Sequence, residues 1–169
     1  MPPPHDSYIT VVTAALDAAG LPPADAFTDD SDTSGGHQYL RAVITLDTGI
    51  SGLDVKRWRH GLAFIWEWHT GAEAELGEPE RGPSWEWAPL VDSHGQTGSR
   101  ELLALDGYAS PAHVVGCVRS IIGQHMGALP RERWEHATAL DAACEAWGAH
   151  ETGQPFAAED HDCGGRGDA

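Results

Sequence analysis

The sequence predicts an α+β domain of two layers, an antiparallel sheet of three to four strands with an N-terminal helix and two C-terminal helices packed on one face. Three observations lead there. Apolar residues recur at helical spacing before residue 20 and again after residue 110. Between these stretches the pattern switches to alternation over segments too short for helices. The alternating segments follow one another through turn-rich connections with no helical pattern between them, so sequence neighbours should pair antiparallel.

The chain has 169 residues, enough for one domain of ordinary size. The opening Met1-Pro2-Pro3-Pro4-His5-Asp6 is expected to be flexible, residues 7–148 to form the domain, and residues 149–169, poor in apolar side chains, to be a disordered tail. Tyr8, Val12, Ala15, Leu16 and Ala19 make the first helical stripe, with Asp6 or Ser7 placed to cap it and Gly20 to stop it before Pro22-Pro23. The polar run from Asp29 to Gly36 reads as a loop. From His37 to Asp47, Leu40, Ala42, Ile44 and Leu46 alternate with Tyr39, Arg41, Val43 and Thr45 to give a strand. Leu62 to His69 is apolar on both faces in its first half, as a central strand is. Ser84 to Val91, with Pro83 before it and Pro89 within it, is a strand near an edge or bulge, because proline cannot donate to a ladder. The Glu- and Gly-rich stretch from Gly71 to Gly82 is a long hairpin loop with a brief strand near Leu76, and Glu101 to Leu105 adds a fourth strand. Ser110-Pro111 starts a helix striped by Val114, Val115, Val118, Ile121 and Ile122. Pro130 opens another, with Trp134, Ala137, Leu140, Cys144 and Trp147 on one side and Gly148 at its end.

Charge narrows the function classes. Ten basic residues against 26 acidic ones give a formal charge of -16, spread along the whole chain, which repels nucleic acid and anionic lipid. The one basic cluster, Lys56-Arg57-Trp58-Arg59-His60, reads as a solvated loop rather than a phosphate-binding patch. No apolar run approaches the roughly 18 residues of a spanning helix, and the N-terminus lacks the basic and apolar regions of a secretory signal. Cys117, Cys144 and Cys163 are odd in number and widely spaced, which fits a reduced, cytoplasmic protein.

The chemistry-bearing candidates are few. Asp30-x-Asp32-x-Ser34-Gly35 reproduces the first half of a calcium loop, but position 12, which must supply a bidentate carboxylate, is Arg41. His113 and Cys117 stand four apart on one predicted helix, the spacing of two metal ligands, with no third ligand identifiable. No metal or cofactor site is expected. The prominent motif is a tripeptide used twice, Trp66-Glu67-Trp68 and Trp85-Glu86-Trp87, 19 positions apart. In a strand each copy places two indoles on one face and a carboxylate on the other. If Trp66 pairs with Trp87, then Glu67 faces Glu86, an arrangement that needs a cation, a proton or an arginine between them; a shift of two residues removes the clash. The indoles are either core or an exposed groove.

Gly61-Leu62-Ala63-Phe64-Ile65-Trp66-Glu67-Trp68-His69-Thr70-Gly71, with Trp85-Glu86-Trp87 and the Ser110-Pro111-Ala112-His113-Val114-Val115 helix start, resembles a family of small acidic actinobacterial proteins with a domain of unknown function, over about residues 7–125. That resemblance implies no activity. The expected function is a non-enzymatic module binding a protein or peptide through Trp66, Trp68, Trp85 and Trp87 with Glu67 and Glu86, or through the second long helix, because indoles bury large area at small entropic cost. The alternative is a small-molecule or metal-dependent enzyme using Glu67, Glu86 and nearby histidines.

Overall fold

The computed structural model describes residues 2–124, 127 and 131–153. The first apolar stripe becomes helix α1 (Asp6–Ala18), which buries Tyr8, Ile9, Val12 and Leu16. Gly20, at φ 79°, supplies the left-handed residue after its end. The N-cap is His5 rather than Asp6 or Ser7. His5 is fully buried, donates from Nε2 to the Arg41 carbonyl (2.8 Å) and stacks on Trp66 at 4.9 Å. The chain is therefore anchored from His5 onward. This corrects the expected flexible segment 1–6 at its inner end, where stacking on a core indole outweighs the proline-rich context.

Five strands run in the order β1-β2-β3-β4-β5, each antiparallel to the next. β1 (Asp25–Asp32) occupies much of what reads as a loop, and the turn proper is confined to the residues after it, where the Thr33 amide donates to the His37 carbonyl at 2.8 Å. An edge strand tolerates acidic side chains because one of its flanks faces water. Asp29 also lies opposite Arg41 of β2 (Gln38–Leu46) and pairs with its guanidinium at 2.8 Å. The inner face of β2 is the expected one, with Leu40, Ala42, Ile44 and Leu46 buried.

β3 (Leu62–His69) is buried at every position, as a strand with neighbours on both sides should be. β4 spans Gly82–Pro89, two residues earlier than the expected Ser84–Val91, and β5 is only Glu101–Leu102. So short a neighbour leaves most of β4 as an edge, which is what Pro83 and Pro89 require. In the connection between β3 and β4, Ala74–Leu76 forms a 3₁₀ turn instead of a brief strand. The register sets Trp66 opposite Trp85, Glu67 opposite Ser84 and Glu86 opposite Ile65. This is the two-residue shift that separates the glutamates.

Helix α2 (Pro111–Ile121) starts at Ser110, whose hydroxyl accepts from the His113 amide at 3.2 Å. Helix α3 (Ala137–Glu151) begins later than the expected Pro130, which lies outside the described residues, and it does not stop at Gly148. A Cβ at Gly148 would sit 2.6 Å and 2.8 Å from Cη2 and Cζ3 of Trp68, so this glycine admits the indole and leaves the helix uninterrupted. Residues up to Glu151 are helical, and the Glu151 carboxylate accepts from the Gln38 amide at 3.0 Å, which moves the expected tail boundary beyond residue 149. Residues 154–169 of that tail lie outside the described residues. Among the described residues, no helix is long and apolar enough to cross a membrane.

Candidate functional site

Alternation sends neighbouring residues of β3 to opposite fates. Trp66 and Trp68 point one way, where with Trp85 they are fully buried. The Tyr8 ring of α1 meets Trp66 and Trp85, each at 6.3 Å, Trp147 of α3 meets Trp68 at 6.3 Å, and the Trp66 indole donates to the Gly107 carbonyl at 2.7 Å. Three of the four indoles read as binding residues are therefore core, packed against Tyr8 of α1 and Trp147 of α3. Trp87 alone is half-buried, and it packs edge-on against Trp58 at 6.0 Å.

Glu67 and His69 point the other way. Glu67 Oε2 accepts from His69 Nε2 at 3.0 Å, and the His69 ring stacks on Tyr39 of β2 with centroids 4.5 Å apart. Arg100, which the sequence reading passes over, joins Glu67 to Glu86: one guanidinium nitrogen, Nη1, lies 2.8 Å from Glu67 Oε1 and 3.2 Å from Glu86 Oε2. The structure thus brings Glu67, Glu86 and a histidine together, with an arginine between the carboxylates. The β4–β5 pairing and the bridge between Leu90 and Thr97 bring the segment of Arg100 beside β4. A lone arginine just before a two-residue strand is the one signal the sequence offers.

The segment 71–81 closes over this end of the sheet as a strap, and Glu78 holds it. Glu78 Oε1 accepts from the amide and hydroxyl of Thr70 (3.1 Å and 3.2 Å), and Oε2 accepts from the Glu73 amide (2.7 Å). Glu73 in turn accepts from the Thr33 hydroxyl, and Leu76 lies so close to Gly35 that a Cβ there would come within 2.6 Å of its Cδ1. At its far end Arg81 donates to the Thr70 carbonyl (2.9 Å) and pairs with Glu145 of α3. Between strap, β1–β2 turn and sheet lies a cleft of about 250 Å³. Tyr39, Glu67 and His69 line it from the sheet, Asp32 from the end of β1 and Glu73 from the strap, with Arg100 alongside.

Electrostatics fix the protonation of the carboxylates. Burial pushes Glu67 upward, but hydrogen bonds from His69 and Arg100 outweigh it and hold the carboxyl below its ordinary range. Glu78 behaves alike: burial raises it, and the strap amides and the Thr70 hydroxyl bring it below the usual value. Each oxygen of Glu67 accepts a hydrogen bond, and both bonds favour the ionised form.

The other candidates separate. Asp30 and Asp32 of the half calcium loop stand in strand β1, and Arg41 is committed to Asp29. His113 lines a different cavity, with Asp106, Arg131, Glu132 and Arg133. Among the described residues, no group of three or more His, Cys, Asp or Glu side chains is placed to hold a metal. In the basic cluster, Arg57 lies over the Trp58 ring at 4.9 Å, and Trp58 packs inward on the core. Burial pushes the Cys117 thiol up and the Cys144 thiol up to about 12, so neither supplies a thiolate nucleophile. Comparison with protein-family models, curated proteins and solved structures finds no match to this chain.

Proposed function

We propose that this protein is a non-enzymatic interaction module that binds a segment of a protein partner in the cleft of Tyr39, Glu67 and His69. The observation that carries the reading is preorganisation: Glu67 and Glu78 are held ionised and immobile by hydrogen bonds, while the cleft between them is open. Groups fixed before the ligand arrives bind without a further ordering cost. In this reading the helices form one layer over the Trp-rich face and leave the opposite face to the partner. The free thiols of Cys117 and Cys144 fit a reducing, cytoplasmic setting. The enzymatic alternative asks Glu67, Glu86 or His69 to move a proton; His69 Nε2 and Arg100 hold Glu67 as a carboxylate, which leaves that role to Glu86 and to Nδ1 of His69.

A random-peptide display selection on the full chain tests this. Peptides lost on Tyr39→Ala and Glu73→Gln but retained on Trp87→Ala are expected, with the fold of each variant checked by circular dichroism. Peptides indifferent to both cleft variants, or sensitive only to Trp87→Ala, would overturn the reading.

A further inference from the structure

The charge of the cleft is lopsided. Asp32, Glu67, Glu73 and Glu78 line it against the single guanidinium of Arg100. Arg100 satisfies Glu67 and Glu86 through one nitrogen only, and its side chain is 39% exposed. A second feature is independent of this acidity. The His69 side chain is only 6% exposed, and its Nδ1 has no hydrogen-bond partner. That atom stands 3.6 Å from Glu78 Oε1. At that distance no hydrogen bond joins the ring nitrogen to the carboxylate. A donor reaching both would satisfy an atom the protein itself leaves unsatisfied.

Resting on the cleft as the binding surface, we infer that it receives the ammonium or guanidinium group of a basic side chain, and that Arg100 is an intramolecular stand-in for that group. Lysine and arginine carry the several N–H donors that Nδ1 of His69 and the carboxylates lack, and Tyr39 offers an aromatic surface for the aliphatic stem. An anion entering the same space would meet more carboxylates than cations.

The probes are Nα-acetyl-arginine amide, Nα-acetyl-lysine amide and the neutral isostere Nα-acetyl-citrulline amide, titrated into the ¹⁵N-labelled full chain. Saturable shifts at the Tyr39, His69 and Thr70 amides are expected for the two cations, with citrulline weaker by about tenfold or more, the scale of one charge-assisted hydrogen bond. Arg100→Gln frees Glu67 and should tighten cation binding by about tenfold, while Glu67→Gln weakens it by a similar factor. If Glu67→Gln unfolds the chain, Glu73→Gln on the strap provides the same test. Unchanged or weaker cation binding on Arg100→Gln would show that Arg100 does not hold the cation's place, and equal binding of citrulline would show that charge is not read. Either result sinks the inference. Display peptides that need the cleft but carry no basic residue would refute the cation and leave the cleft reading intact. Amides that bind where no peptide does would identify a small amine as ligand and refute the protein-partner reading instead.

Discussion

Replacing Gly148 with alanine adds one methyl group against the edge of a buried indole. The new Cβ would lie 2.6 Å and 2.8 Å from two ring carbons of Trp68, whereas non-bonded carbons rest at about 3.5–4.0 Å, so about 1 Å must be recovered by movement. Trp68 has little freedom to give it, since it is fully buried between Trp147 at 6.3 Å and the Arg81 guanidinium at 5.1 Å. Overpacking of this kind costs about 1–3 kcal/mol, and alanine returns about 1 kcal/mol of helix propensity, leaving a net loss of about 1 kcal/mol. Trp68→Phe removes the ring atoms that clash. In that background Gly148→Ala should be neutral or stabilising by up to about 1 kcal/mol, giving a coupling of about 1–3 kcal/mol between the two sites. Urea denaturation followed by far-ultraviolet ellipticity measures the cycle. Equal losses in both backgrounds would show that Gly148 terminates the helix, as its sequence context suggests, and equal gains would show that it faces solvent; each outcome refutes the packing argument.

Three further outcomes follow from the same contacts. Trp66→Ala and Trp85→Ala should each cost about 3–5 kcal/mol in urea denaturation, and Trp87→Ala about 1 kcal/mol, because only the first two indoles are fully enclosed. Glu78→Gln should accelerate amide hydrogen exchange at Thr70 and Glu73, the two strap amides its carboxylate accepts from, while leaving exchange in β2 unchanged; unaltered protection would mean that the strap is held by something else. Burial lowers the folded-state pKa of His5, so the unfolded chain binds the proton first, and stability present above the ordinary value of 6.5 is lost as the pH falls toward the folded value. The urea midpoint of the wild type should therefore decline from pH 7.5 to pH 5, less steeply in His5→Gln, and identical slopes would exclude His5 as the source.

What the sequence disclosed follows a physical line. The alternation of Leu40, Ala42, Ile44 and Leu46 and the doubly apolar Leu62–Ile65 record burial by sheet neighbours and helices, and burial writes itself into residue type. β1 was illegible because an edge strand faces water along one flank, so Asp25, Asp29, Asp30 and Asp32 carry no apolar rhythm and mimic a loop. Gly148 misled for a different reason: a glycine admitting a neighbour's ring and a glycine ending a helix are the same letter, and only the position of Trp68 separates them. Glu67 and Glu86 stand out through the repeated tripeptide, yet their relation depends on a two-residue choice of register and on Arg100, which reaches them from the segment just before β5. Sites assembled across strands leave little local trace.

The tripeptide nevertheless explains why Glu67 is the rigid half of the pair and Glu86 the adaptable half. Trp66 and Trp68 flank Glu67 and are locked on the opposite face, the first by His5 and the Gly107 carbonyl, the second by Trp147 and Gly148. Moving Glu67 along or out of the sheet would drag two core indoles with it, so core packing holds its carboxylate in place. Glu86 lies between Trp85, which is core, and Trp87, which is half-buried, and its own side chain is 26% exposed against 9% for Glu67. Its bond to Arg100 is also the longer, 3.2 Å against 2.8 Å. A basic side chain that takes the place of Arg100 on Glu67 would therefore leave the arginine a ready partner in Glu86, so no charge is stranded during the exchange. Glu86→Gln, which withdraws that partner, should weaken the binding of Nα-acetyl-arginine amide although Glu86 does not line the cleft, and an unchanged affinity would rule out the exchange.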